Sequence, residues 1–70
     1  MMLLTMLQPG ESNSIKKITG REATHKHLAN LGFTIGAKIT IISELNGSFI
    51  VDIRNSRVAI DKSMATHILV

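Results

Sequence analysis

Between Lys38 and Ile60 three short segments carry apolar residues at alternate positions, and this period of two constrains the chain more than any other feature. In Lys38-Ile-Thr-Ile-Ile-Ser-Glu-Leu45, Ile39, Ile41 and Ser43 share one face. In Ser48-Phe-Ile-Val-Asp-Ile-Arg54 the inner set is Phe49, Val51 and Ile53. The same period limits the connections, because a slip of one residue turns every side chain to the other face. A two-residue Asn46-Gly47 turn would set Ile42 against Val51, an outer residue against an inner one. A three-residue loop, Leu45-Asn46-Gly47, removes that mismatch, with Gly47 in the left-handed position of a bulge. Ile41 is then expected opposite Val51 inside, and Ile42 opposite Ile50 outside. Parity also sets Val58 and Ile60 against Ile53 and Val51 across a two-residue turn at Asn55-Ser56, where Asn tolerates positive φ.

The stretch leading into this meander, Leu28-Ala-Asn-Leu-Gly-Phe-Thr-Ile-Gly36, reads as the end of a helix. Leu28 and Leu31 are three apart and share a helix face. Gly32 follows at once, where a helix end favours a left-handed residue, and Phe33 can then fold back onto Leu28. Gly36 turns the chain into the first long strand. Thr19-Gly-Arg-Glu22 matches a capping box, so the helix is expected from Arg21 or Glu22 to Leu31. Its inner face is Thr24, Leu28 and Leu31, with Ala23 or His27 at the edge.

The remaining pieces are short. Met1–Leu7 reads as an extended arm with Leu4 and Leu7 packing on the body, too short for a membrane span and without the basic start of a signal peptide. Pro9-Gly10-Glu11 is a turn and Ser12-Asn13-Ser14 a polar link. Ile15-Lys16-Lys17-Ile18 is a strand whose two Ile are three apart, so a bulge or bend is expected there. Asp61–Thr66 reads as one helical turn capped by Asp61, with Met64 and Ala65 on one end of the sheet, and His67–Val70 as a last strand. The order predicts a mainly β chain with one short helix, folded as a small, partly open five-stranded barrel in a single domain over residues 1–70.

Chemistry is sparse. With no Cys there is no disulfide, thiolate nucleophile or zinc knuckle, which fits a reducing cytoplasm. The five acids, Glu11, Glu22, Glu44, Asp52 and Asp61, are dispersed, and no phosphate-binding glycine motif occurs, so no catalytic residue is expected. Eight Lys/Arg give a net charge of +3, scattered rather than in a run. The two Phe belong to the expected core and cannot serve as stacking platforms, so nucleic-acid binding ranks last among the readings. His25 and His27 stand about 200° apart on a helix and cannot chelate one ion there, although His67 could approach one of them. His25, His27 and His67 are therefore weak metal candidates, suited at most to loosely held ferrous or another divalent ion. Ile42 and Ile50, adjacent on the outer strand face, form the second anomaly. With Lys38, Thr40 and Asp52 around them, they are the candidate partner surface.

The ordered series Leu7-x-Pro-Gly-Glu11, Ile15-x-x-Ile18, Leu28-x-x-Leu-Gly-Phe-x-x-Gly36, an alternating hairpin, Arg57-Val-Ala-Ile60 and Ala65-x-x-Ile-Leu-Val70 resembles the FeoA family, the small cytosolic component of bacterial ferrous-iron uptake. The resemblance implies an SH3-like barrel, without enzymatic activity or a tightly bound cofactor, that acts with the membrane transporter FeoB through its cytosolic part. The same module resembles the C-terminal domain of iron- or manganese-dependent repressors, which implies a regulator-derived alternative. Leu28, Leu31, Gly32, Phe33, Gly36 and Gly47 would be its structural positions. The chain departs from the family in having Ile35 before Gly36, Asn46-Gly-Ser-Phe49 in the first hairpin, and His27 where a basic residue commonly precedes the first helical Leu.

Overall fold

The computed structural model describes residues 1–70. Six strands and two helices follow in the order β1 (Ser12–Ser14), β2 (Lys17–Ile18), α1 (Glu22–Asn30), β3 (Lys38–Leu45), β4 (Ser48–Ile53), β5 (Ser56–Asp61), α2 (Lys62–Ala65) and β6 (Ile68–Leu69), after a single 3-10 turn at Leu4–Met6. The strands form two antiparallel sheets, β1-β3-β4-β5 and β2-β6, rather than one closed barrel.

Six strands appear instead of five because the Ile15–Ile18 segment does not stay in one sheet. Ser12–Ser14, expected as a polar link, pairs with β3, whereas Lys17 and Ile18 pair with β6. The change of partner falls at Ile15 and Lys16. Ile15 N–H donates to the Ala37 carbonyl at 2.9 Å, and Lys16 N–H donates to the Leu69 carbonyl at 2.8 Å. The three-residue spacing of Ile15 and Ile18 is thus the signature of a corner between sheets. Met2 and Val70 exchange both backbone hydrogen bonds, at 2.9 and 2.7 Å, and Leu3 bridges to Leu69, so the arm borders β6 and joins the two ends of the chain. Leu4 and Leu7 are buried, as expected of the arm.

The helix end forms as its spacing implies. Gly32 has φ +101°, Phe33 N–H donates to the Leu28 carbonyl at 2.9 Å, and Gly32 N–H donates to the Ala29 carbonyl at 2.9 Å. These are the two bonds of a Schellman cap, and they bring Phe33 onto the last turn. Leu28 and Phe33 are both fully buried. The helix start differs from the capping-box expectation. Arg21 occupies the N-cap and no side chain caps it. The Thr19 hydroxyl lies instead 3.3 Å from His67 Nδ1, so it ties β2 to β6 and is not available to the helix.

Both hairpin connections correct the sequence reading. Leu45 pairs with Ser48, so the first loop has two residues, Asn46 (φ +51°) and Gly47 (φ +78°), the pair of left-handed residues of a type I′ turn. The parity conflict is resolved inside β3: the register shifts between Ile41 and Ser43, leaving Ile42 as the extra residue of a β-bulge. Ile41 does oppose Val51, but Ser43, not Ile42, opposes Ile50. The second turn is Arg54-Asn55 (φ +48° and +64°), one residue earlier than expected. Val58 therefore faces Val51, and Ile60 faces Phe49. α2 begins after Asp61, as read, but the Asp61 side chain makes no capping bond.

The core contains fifteen buried residues, all of them apolar, and Phe33, Phe49, Leu28, Ile39, Ile41, Ile53 and Ile68 are almost wholly inaccessible. No ionisable side chain is buried. No helix is long and apolar enough to cross a membrane.

Candidate functional site

The outer face of the four-stranded sheet carries an ordered polar row. Ser12 lies opposite Thr40, Thr40 opposite Asp52, and Asp52 opposite Arg57, so the row crosses β1, β3, β4 and β5. Side chains link it at both ends. The Ser12 and Thr40 hydroxyls are 2.8 Å apart, and Arg57 Nε donates to Asp52 Oδ1 at 3.0 Å. This hydrogen bond to Asp52, and secondarily the charge of Asp52, raise the Arg57 pKa above the usual guanidinium value. On one side of this row the bulged Ile42 and Ser43 adjoin Ile50, which faces Ala59; Ile42 and Ile50 are half-buried. On the other side an open trough extends to the β4–β5 turn, walled by Gly36, Lys38, Thr40, Asp52, Arg54 and Arg57.

Lys38, Thr40 and Asp52, expected to rim the partner surface, are thus brought together in one trough, with Ile42 and Ile50 on the neighbouring row. Arg54, Arg57 and Ser12 were not anticipated. Arg57 was within reach of the parity argument, since inner Val58 and Ile60 make it outer. Its pairing with Asp52 depended on the turn being Arg54-Asn55. Arg54 gave no local signal. Its side chain returns to the helix end, donating from Nε to the Gly32 carbonyl at 3.3 Å and from Nη2 to the Thr34 hydroxyl. It pins the trough wall to the Schellman cap.

The His residues are arranged differently. His25 Nε2 lies 3.2 Å from the Gly20 carbonyl, and because a carbonyl only accepts, that nitrogen carries the proton. The half-buried His67 lies beside the same glycine. A Cβ built on Gly20 would be 3.1 Å from His67 Nδ1. His27 is exposed and lines a narrow groove with Leu31, Asp61 and Met64. The structure thus brings His25 and His67 to one glycine and leaves His27 apart. No three His, Cys, Asp or Glu side chains converge into a group that could hold a metal ion. A further, more apolar groove lies between α1 and β2, bordered by Lys16, Lys17, Ile18, His25, Phe33 and Ile35.

Comparison with known proteins places these features in a family. The FeoA domain model matches residues 2–70. The chain is 31% identical over 67 residues to the "Putative Fe(2+) transport protein A" of Methanocaldococcus jannaschii, covering 96% of this chain and 82% of that one. A crystal structure described as the iron uptake regulatory protein FeoA superposes with a TM-score of 0.88 at 27% identity, over 96% of this chain and 89% of that one. The zinc complex of Stenotrophomonas maltophilia FeoA, described as a prokaryotic SH3 domain protein, superposes with a TM-score of 0.83 at 20% identity, over 99% and 88% of the two chains. At that identity the likeness carries the fold, and the SH3-like architecture is the one seen here. The chain is therefore a member of the FeoA domain family, related to proteins named for Fe(2+) transport.

Proposed function

We propose that this protein is a non-enzymatic accessory or regulatory component of ferrous-iron uptake, acting in the cytoplasm by docking on the cytosolic part of a FeoB-type transporter. The observation that carries the reading is the outer sheet face. A small apolar centre, Ile42 and Ile50, is bordered by a polar row whose side chains are already held in place, the arrangement of a protein contact rather than a reaction centre. The wholly apolar core and the dispersed acids support a binding role over catalysis. The test is co-purification with the cytosolic part of the transporter. Ile42→Glu with Ile50→Lys should abolish it while costing about 1 kcal/mol of stability, as for substitutions outside the core. His25→Ala, His27→Ala and His67→Ala should each retain it. Retention by the Ile variant would remove this face as the contact.

One observation favours a second reading, direct but weak handling of a divalent metal. His25 and His67 flank Gly20, and rotation of either ring would present a free nitrogen there. Two imidazoles without a carboxylate make a loose site, short of the four ligands of a structural zinc centre. A titration with ferrous ion followed by amide NMR distinguishes the readings. Metal handling requires saturable shifts centred on Thr19, Gly20, His25 and His67.

A further inference from the structure

The trough beside the docking face has a charge that the chain as a whole does not advertise. Lys38, Arg54 and Arg57 line it against one acid, Asp52, so this small region holds two of the three net positive charges of the molecule. The cations are placed rather than merely present. Arg57 is clamped by Asp52 through Nε, which leaves its two terminal nitrogens free to donate outward. Arg54 is bound only to neutral acceptors, the Gly32 carbonyl and the Thr34 hydroxyl, so its charge is uncompensated. Lys38 has no ion-pair partner. The acids of the same sheet, Glu44 and Asp61, lie at the opposite end, next to the β3–β4 turn. The outer face therefore runs from cationic at the Gly36 end to apolar at Ile42, Ile50 and Ala59.

We propose that the trough binds an acidic protein segment carrying two carboxylates with a neutral polar residue midway between them. This rests on the docking reading and specifies its chemistry. Lys38 and Arg57 stand two strands apart and one outward-facing step apart along the sheet, which at about 4.8 Å between strands and about 3.4 Å per residue separates them by about 12 Å. An extended segment spans that distance with acids at its first and fifth residues, and period two puts the third residue on the same face midway between them, over Asp52 and Arg54, where a neutral polar residue fits. The two carboxylates meet Lys38 and the outward nitrogens of Arg57, where charge-assisted bonds are the strong ones. A nucleic acid fits less well. Both Phe are fully buried, so nothing on this face can stack on a base, and the neighbouring apolar row would meet a phosphate backbone unproductively.

The experiment is amide NMR of the full chain titrated with the capped peptide Gly-Glu-Ser-Ser-Ser-Glu-Gly, with its double Gln analogue, with inorganic phosphate and with a short single-stranded oligonucleotide. The Glu peptide should shift Lys38, Thr40, Asp52, Arg54 and Arg57 saturably. The Gln analogue should bind at least about tenfold more weakly. About 1 M salt, where the screening length falls to about 3 Å, should remove the difference. Equal binding of the two peptides, absence of shifts at these amides, saturation of the same amides by phosphate alone, or tighter binding of the oligonucleotide there would each overturn the proposal. The variant Lys38→Glu with Arg57→Glu, checked for an unchanged fold by its amide spectrum, should lose the peptide and also the cytosolic part of the transporter. If it loses the peptide but keeps the transporter, the trough is not the contact and this proposal fails while docking stands. If wild type binds the peptide but no transporter, the docking reading fails and the trough chemistry stands.

Discussion

Replacing Gly32 by Ala tests how much of this fold rests on one backbone angle. Gly32 sits at φ +101°, which L residues rarely adopt, yet a Cβ there would meet nothing closer than Arg54 Cδ at 3.7 Å and Ile53 Cγ2 at 3.8 Å. Those are ordinary contacts, so the substitution introduces no clash and its cost is conformational. Holding a non-glycine residue in such a region costs about 1–3 kcal/mol. If the chain relaxed to avoid this, it would lose the Phe33–Leu28 and Gly32–Ala29 bonds of the cap, about 0.5–1.5 kcal/mol each, which gives a loss of the same size by another route. A core this small supplies rarely more than about 3–5 kcal/mol of net stability, so Gly32→Ala should remove a large share of it. In thermal unfolding followed by circular dichroism, each kcal/mol should lower Tm by about 4–8 °C. Gly32→Asn should fall less, because Asn tolerates positive φ better. An Ala variant melting with the wild type, or an Asn variant falling as far as Ala, would show that the angle is not what ends the helix.

Other outcomes follow from the same structure. Gly20→Ala should cost more than Gly10→Ala: both glycines have positive φ, but only at Gly20 would the new Cβ meet a neighbour, His67 Nδ1 at 3.1 Å. Adding His67→Ala should close the gap between the two melts. Phe33→Ala should cost about 3–5 kcal/mol and leave the chain largely unfolded at room temperature by the same assay. Asp52 raises the Arg57 pKa, so any contribution of the pair to stability is complete below the usual arginine range and is lost only as pH rises through a still higher value. Melts between roughly pH 6 and 10 should therefore show no transition attributable to Arg57, and salt rather than pH should weaken the pair.

What the sequence disclosed and what it hid divide along physical lines. Local rules found the helix end, because Leu-x-x-Leu-Gly-Phe encodes a cap whose bonds lie within a few residues. Period two found the inner sets Ile39, Ile41 and Phe49, Val51, Ile53, since burial of one face leaves no freedom. It did not locate the extra residue. A bulge at Ile42 and a bulge at the turn satisfy the same parity, and only the cost of each backbone geometry separates them. Asn46-Gly47 is well suited to a tight two-residue turn, so the irregularity moved into the strand. The second turn hid for the opposite reason: it asks Arg54 to adopt φ +48°, which no propensity favours. Arg54 is also bonded to the helix end and packs on Gly32, so a tertiary contact accompanies that geometry. The outer positions of Lys38, Thr40, Ile42, Ile50 and Asp52, proposed as the partner surface, follow from parity, but Ser12 and Arg57 join that row only through pairings between distant segments. Thr19 carried a convincing local signal for a cap and served a long-range contact with His67 instead.

If this FeoA domain protein works through the outer face of its larger sheet, as proposed, its ligand there is a protein. Amide NMR of the labelled full chain, titrated with the purified cytosolic part of a FeoB-type transporter, tests it most directly. The account predicts line broadening and shifts concentrated at Lys38, Thr40, Ile42, Ile50, Asp52 and Arg57, with the Gly20 region unmoved. No response to the transporter, together with saturable shifts at Gly20, His25 and His67 on adding ferrous ion alone, would contradict it.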